Sequence, residues 1–312
     1  NDLKPIFSKL SAMDIKSFYE PGTGTWTHLL TDEKAGVAAI IDPVWVYDPV
    51  SGMADSAFID SVLEAAGQAG SRIEWVLETH AHADHLTAAD LVRQRTGARV
   101  ACGRGICQVQ ETFAPVFNMQ GVATDGSQFD RLLVEGDTVL LGSLEILVLE
   151  TPGHTADSVT YRVGDAAFVG DTLFAPAFGS ARCDFPGGDA AQLYDSIARI
   201  HSLPDATRIF LCHDYPKEGQ PPVCSVTVAE SRRDNVHVGG DTGKEEFVAM
   251  RRNRDQQLGL PRLILPSLQV NILAGAAPQA DGNGVTYLRT PFNHPLSELV
   301  NAQPVSEKGG KA

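Results

Sequence analysis

Residues 79–85 read Thr-His-Ala-His-Ala-Asp-His, which places four metal-ligating side chains, His80, His82, Asp84 and His85, within six positions. The apolar run Ile73–Leu77 before them reads as a strand, and the amphipathic stretch Leu86–Thr96 after them reads as a helix. A strand end is a rigid platform, and the loop that follows it can curl its side chains around one point. Imidazole together with carboxylate suits borderline metals such as zinc, iron or manganese. A solvated polar loop, or a helix start capped by Asp84, rarely concentrates ligand types this tightly. A chain carrying this cluster must fold so that strand tips meet.

Three further segments share the context of a strand end and the loop after it. Thr151-Pro152-Gly153-His154-Thr155 follows Leu144–Glu150, Gly170-Asp171-Thr172 follows Ala166–Val169, and Cys212-His213-Asp214-Tyr215 follows Arg208–Leu211. A lone His or Asp in such a place more often hydrogen-bonds a loop. In this order after the histidine cluster, His154, Asp171 and His213 make a strong set.

The remaining pattern alternates strands and helices. Strands are expected at Ile15–Tyr19, Trp26–Leu30, Gly36–Ile41, Arg99–Cys102, Thr138–Leu141 and Ser158–Val163, with a hairpin turn at Gly164-Asp165. Helices are expected at Asp55–Gly70 and Ala190–His201, and residues 105–128 read as irregular surface structure. Strands, a helix and strands, repeated, predict an α/β (α+β) fold of four layers, αββα. Residues 216–243 read as loop, Lys244–Leu258 as a charged helix, and Leu260–Asn271, with prolines at 261 and 266, as extended chain. The domain organisation expected is a catalytic domain over 1–243, a C-terminal extension over 244–300 packed on it, and a disordered tail over 301–312.

Charge and cysteine usage exclude several functions. With 25 basic and 39 acidic residues the formal net charge is −14, a surface that repels phosphate backbones, so no nucleic-acid partner is expected. Cysteines 102, 107, 183, 212 and 224 form no CxxC pair and read as free thiols in a reducing compartment. Residues 1–18 lack the apolar core of a signal peptide, and no stretch approaches a membrane span. A soluble protein of the cytoplasm, in a bacterial cytosol, is the expectation.

HxHxDH, then Pro-Gly-His-Thr, then Gly-Asp-Thr-Leu-Phe, then a strand-end His, is similar to the metallo-β-lactamase superfamily over about residues 15–215. The resemblance implies the superfamily's αββα sandwich. Its ligands match His80, His82 and His154 for one metal, and Asp84, His85 and His213 for a second, with Asp171 able to bridge. A narrower resemblance, to the persulfide dioxygenases, rests on residues 177–185 (Ala-Phe-Gly-Ser-Ala-Arg-Cys-Asp-Phe), on His213-Asp214-Tyr215, and on Glu245-Glu246-Phe247-Val248 with the Leu-Pro segment after it. It implies one Fe(II) per chain, held by His80, His154 and Asp171, with His82, Asp84, His85 and His213 orienting ligands and waters. Two histidines and one carboxylate leave three positions open, as in oxygen-activating non-haem iron sites. The implied substrates are glutathione persulfide and O₂, converted with water to sulfite and glutathione in persulfide detoxification. Arg182 and Tyr215 match positions at the glutathione site; Arg182 offers a planar fork for a carboxylate, against the alternative of an ion pair with Asp184 or Asp189. Gly179-Ser180-Ala181-Arg182 departs from the Gly-Cys-Gly-Arg run of many glutathione-using relatives. Relatives of this kind pair as homodimers, and a sulfurtransferase supplying the persulfide is the implied pathway partner. The rival from the same motifs is a dinuclear zinc hydrolase, a glyoxalase II-like glutathione thioesterase or a lactonase.

Overall fold

A computed structural model describes residues 13–301. In chain order it contains β1 (Met13–Glu20), β2 (Thr25–Asp32), β3 (Val37–Ile41), β4 (Val44–Asp48), β5 (Met53–Asp55), α1 (Ala57–Gln68), β6 (Arg72–Leu77), β7 (Leu86–Thr87), α2 (Ala89–Thr96), β8 (Arg99–Gly103) and α3 (Ile106–Val116). These are followed by β9 (Arg131–Leu133), β10 (Thr138–Leu141), β11 (Leu144–Glu150), β12 (Val159–Val163), β13 (Ala166–Phe168), α4 (Ala190–His201), β14 (Arg208–Phe210), β15 (Ser225–Thr227), α5 (Val228–Asp234), α6 (Lys244–Asp255), α7 (Ile264–Asn271) and α8 (Leu296–Asn301).

Two six-stranded sheets form, ordered β1-β2-β3-β6-β8-β9 and β10-β11-β12-β13-β14-β15, with a small β5-β4-β7 sheet beside them. Side chains alternate across a strand, so a strand apolar at every position must be covered on both faces. In β3, Val37, Ala39 and Ile41 point between the sheets, against Val148, Tyr161 and Phe168 of the second sheet. Ala38 and Ile40 point the other way, into a core shared with helices α1, α2, α3 and α7. In β14, Phe210 faces the first sheet, while Ile209 meets Leu193 and Ile197 of α4 and Phe247 of α6. The result is the four-layer αββα sandwich that the strand pattern implied.

Four segments differ from expectation. Residues 105–128 hold α3, whose Val109, Phe113 and Ala114 are buried in the first core. Leu86–Thr87 do not open the second helix; they pair with Val44–Trp45 as a strand, and the helix begins at Ala89. Within 216–243, Ser225–Thr227 adds the edge strand of the second sheet and α5 follows, started by a reciprocal cap between Thr227 and Glu230. Residues 264–271 are helical, not extended. Pro266 lies in the first turn of α7, where backbone N–H groups have no intrahelical acceptor, so its missing donor costs nothing. The tail expected to be disordered lies outside the described residues except for Asn301, which ends α8. Among the described residues, no helix is long and apolar enough to cross a membrane.

Candidate metal centre

Both sheets send ligand candidates to one end of the sandwich. His80, His82, Asp84 and His85 leave the tip of β6, the carboxyl end of a strand with parallel neighbours on both sides. His154 follows β11, Asp171 sits in a short 3₁₀ turn after β13, and His213 follows β14. Two glycines allow these approaches. Gly153 has φ +134, and a Cβ there would stand 2.3 Å from the backbone nitrogen of Leu193. Gly170 has φ +53, and a Cβ there would meet Thr79 Oγ1 at 2.6 Å.

Each histidine is oriented by the ring nitrogen that faces away from the cluster. The Arg182 carbonyl accepts from His154 Nδ1 at 2.7 Å, so the His154 proton lies on Nδ1 and the Nε2 lone pair faces inward. His80 Nδ1 lies 3.1 Å from Thr79 Oγ1, whose own proton goes to Asp42 Oδ2 at 2.9 Å. His82 uses Nε2 on Asp42 Oδ1 at 3.0 Å, leaving Nδ1 inward. Thr25 Oγ1 is shared by His85 Nδ1 (3.4 Å) and His213 Nδ1 (3.3 Å). The atoms left without a partner are His80 Nε2, His82 Nδ1, Asp84 Oδ2, His85 Nε2, Asp171 Oδ1 and His213 Nε2, all buried. Buried polar atoms are normally satisfied, and this many orphaned donor atoms together are what a cation site leaves behind. The donors fit a borderline metal.

The donors fall into overlapping groups. His80, His154 and Asp171 bring ligand atoms within 4.8 Å of one another, as do His82, Asp84, His85 and His213; Asp171 also comes within that range of Cys212 and His213, and His82 of Asp42 and Cys212. Asp171 Oδ2 lies 3.9 Å from His80 Nε2 and 3.7 Å from His154 Nε2. His213 Nε2 stands between two carboxylates, 3.2 Å from Asp84 Oδ2 and 3.3 Å from Asp171 Oδ1. Burial pushes His80 well below the ordinary histidine range, reinforced by His82 and His154, so it offers a neutral lone pair. Burial pulls His213 the same way, but Asp171 and Asp84 override it and raise it well above that range.

Sequence reasoning missed three supporting residues. Asp42 follows β3 with φ +50, which carries its carboxylate under the histidine loop, where Thr79 N–H also donates to it. Thr25 belongs to a strand remote in sequence from both rings it serves. Asn271 of α7 donates to the carbonyls of His82 and His85 and accepts from Thr87 N–H. The Asp-Pro stop after β3 marked Asp42 as a strand end, but only tertiary packing reveals Thr25 and Asn271.

The centre opens through His154, Asp171 and Asp84 onto a cleft of about 450 Å³. Phe174, Phe178, Phe185 and Tyr215 give it aromatic walls, and Arg254, Leu258 and Arg262 from the C-terminal segment line it as well. Tyr215 is half exposed, its ring parallel to His213 with centroids 6.0 Å apart. Arg182 also lines the cleft, but its fork is filled within the chain: Asp184 takes it at 2.6 and 2.7 Å, and the Gly259 carbonyl accepts at 2.6 Å. The ion-pair alternative for Arg182 is therefore the observed geometry, favoured because Asp184 lies only two residues away. Cys183 is buried, and burial, with Asp255 adding, pushes its thiol up to about 12.

Comparison with known proteins gives a consistent family and mixed activities. A family model described as the metallo-beta-lactamase superfamily matches residues 29–213. The chain is 47% identical over 292 residues to a probable metallo-hydrolase of Burkholderia pseudomallei, covering 90% of this chain and 99% of that protein. It is 39% identical over 283 residues to Glyoxylase B2 of Dictyostelium discoideum, covering 90% and 97%. The crystal structure of ETHE1 from Myxococcus xanthus superposes with a TM-score of 0.67 at 32% identity, covering 85% of this chain and all of that one. Other curated relatives are longer, and the chain spans 64% of their length.

Proposed function

Since the chain belongs to the metallo-β-lactamase superfamily, we propose that it is a persulfide dioxygenase with one ferrous ion, converting glutathione persulfide, O₂ and water to glutathione and sulfite. One observation carries this reading: the donor grouped with His80 and His154 is the Asp171 carboxylate, while His82 falls with the other set. Two histidines and a carboxylate on one side leave adjacent open positions, the arrangement of non-haem iron oxygenases. The likeness to ETHE1 of Myxococcus xanthus supports it.

His80, His154 and Asp171 would hold the ion, which when bound supplies the electron path from the outer persulfide sulfur to O₂. That sulfur loses four electrons and O₂ accepts four; the S–S bond breaks, the carrier leaves as thiol, and water gives the third sulfite oxygen with release of two protons. No external reductant is needed. Thr79 and the Arg182 carbonyl fix the two imidazoles so that neither reorients when substrate enters. Phe174, Phe178 and Phe185 keep the cleft apolar around the sulfur. Arg254 and Arg262 add positive charge to its lining, which a chain of net charge −14 needs in order to receive an anionic tripeptide.

A second reading is favoured by the other group of orphaned atoms. His82, Asp84, His85 and His213 would accept a second ion, and two ions would make the centre a hydrolase acting on a glutathione thioester. The names of the Burkholderia and Dictyostelium relatives support it. One experiment separates the two. Protein purified without added metal is analysed for metal content, then assayed for O₂ uptake and sulfite release with glutathione persulfide, beside S-lactoylglutathione hydrolysis. One iron per chain with sulfite release is expected. Two zinc ions per chain with rapid thioester cleavage and no sulfite would overturn the proposal.

A further inference from the structure

We propose that the buried ion pair Arg251–Asp255 of α6 is a positioning element for His154, acting through the short segment 180–183. This rests on His154 being a metal ligand, which both chemistries above require. Arg251 and Asp255 are 1% and 4% exposed and stand one helical turn apart. Arg251 Nε and Nη2 reach Asp255 Oδ1 at 2.8 and 2.6 Å. The outer faces of the pair are used on another segment. Arg251 Nη1 donates to the Ser180 carbonyl at 3.1 Å, and Asp255 Oδ2 accepts from Cys183 N–H at 2.8 Å. The two charges therefore grip a four-residue segment at both ends. Between those ends lies the Arg182 carbonyl that takes the His154 Nδ1 proton.

Energetics point the same way. Removing two charges from water is expensive, and an apolar pair of similar volume often stabilises a fold as well or better. What an apolar pair cannot do is hold a carbonyl and an amide at once. The segment has little else to fix that carbonyl: the Arg182 side chain is itself committed to Asp184 and the Gly259 carbonyl. Its other inward anchor is His237, whose Nδ1 accepts from Ser180 N–H at 2.9 Å, upstream of the carbonyl concerned. Displacing the Arg182 carbonyl releases the His154 ring, and a loosened ligand weakens metal binding.

The test uses the full chain stripped of metal by chelation and titrated with Co(II), whose visible absorption reports ligand geometry. The double variant Arg251→Met/Asp255→Leu should keep a urea midpoint near that of the wild type and bind Co(II) about 10- to 100-fold more weakly, with an altered visible band. Added to His154→Ala, the same double change should weaken Co(II) no further. Unchanged affinity in the folded double variant, or a full additional loss on top of His154→Ala, would overturn the proposal. If the double variant does not fold, Arg251→Lys carries the test: it keeps the charge, loses the bond to Ser180, and should bind Co(II) several-fold more weakly, whereas wild-type affinity refutes the clamp. Failure of the wild type itself to bind Co(II) sinks the metal-centre reading with it. Metal binding that is normal in the wild type and unchanged in the variant sinks the clamp alone.

Discussion

Lowering the pH should destabilise this fold through one buried imidazole, His28 on β2. It is 2% exposed and packs against Phe168 and Phe210 of the opposite sheet at ring distances of 5.2 and 5.4 Å. The Leu211 carbonyl, 2.9 Å from Nε2, can only accept, so the ring proton sits on Nε2 and Nδ1 receives the Ser17 hydroxyl at 2.9 Å. Both partners are satisfied by the neutral ring, and burial lowers its pKa from 6.5 to about 4. Because the folded value is the lower one, the unfolded chain binds the proton first as pH falls. The stability is fully present above pH 6.5, declines through the interval down to about 4, and is flat below it. The whole gap amounts to about 3 kcal/mol, of which about 2 kcal/mol is lost between pH 8 and pH 5. Urea unfolding followed by circular dichroism, with chelator in excess so that ion binding does not contribute, would compare the wild type with His28→Gln. The stability difference between them should shrink by about 2 kcal/mol over that range. A difference independent of pH would refute the account of a neutral, fully partnered ring.

Four other outcomes are expected. Asp171→Ala should abolish metal binding at the His80–His154 group by metal analysis, and full occupancy would remove Asp171 from the ligand set. Gly170→Ala places a Cβ 2.6 Å from Thr79 Oγ1 at a positive φ and should cost about 1–3 kcal/mol in urea unfolding; a neutral change would show that the turn relaxes freely. Cys183, buried and with its thiol held near 12, should resist iodoacetamide in the native protein at about pH 8 and react only after unfolding, as peptide mapping would reveal. Arg182→Ala removes the guanidinium that Asp184 and the Gly259 carbonyl share and should lower the urea midpoint; an unchanged midpoint would show that this pairing holds nothing in place.

The converging donors were legible because their chemistry is dense and local: four in one loop, and three more just past mainly apolar strands. Residues 105–128 were not, because Pro115 interrupts the helical pattern near its end and the fully buried Gln110 looks like a surface residue. That glutamine is buried because its side chain bridges the Ile272 carbonyl, Gln128 and Gly126, partners that sequence does not bring near. Two prolines made 260–271 look extended, although one of them occupies a helix's first turn, where proline is tolerated. The Thr227–Glu230 cap, by contrast, was present as a Thr-x-x-Glu signal and marks α5 in hindsight. Arg182 shows the limit of motif transfer: its position was right for the cleft, but only geometry reveals that Asp184 takes its fork.

The donor atoms divide between the two halves of the sandwich, one loop from the first sheet and three from the second. Neither half alone presents a complete coordination sphere, so the binding pocket for a cation comes into being only when the halves have docked in register. An ion captured there acts as a rivet across the interface, drawing the equilibrium toward the closed form in proportion to its free concentration over its dissociation constant. The stability of the fold would in this way depend on metal concentration.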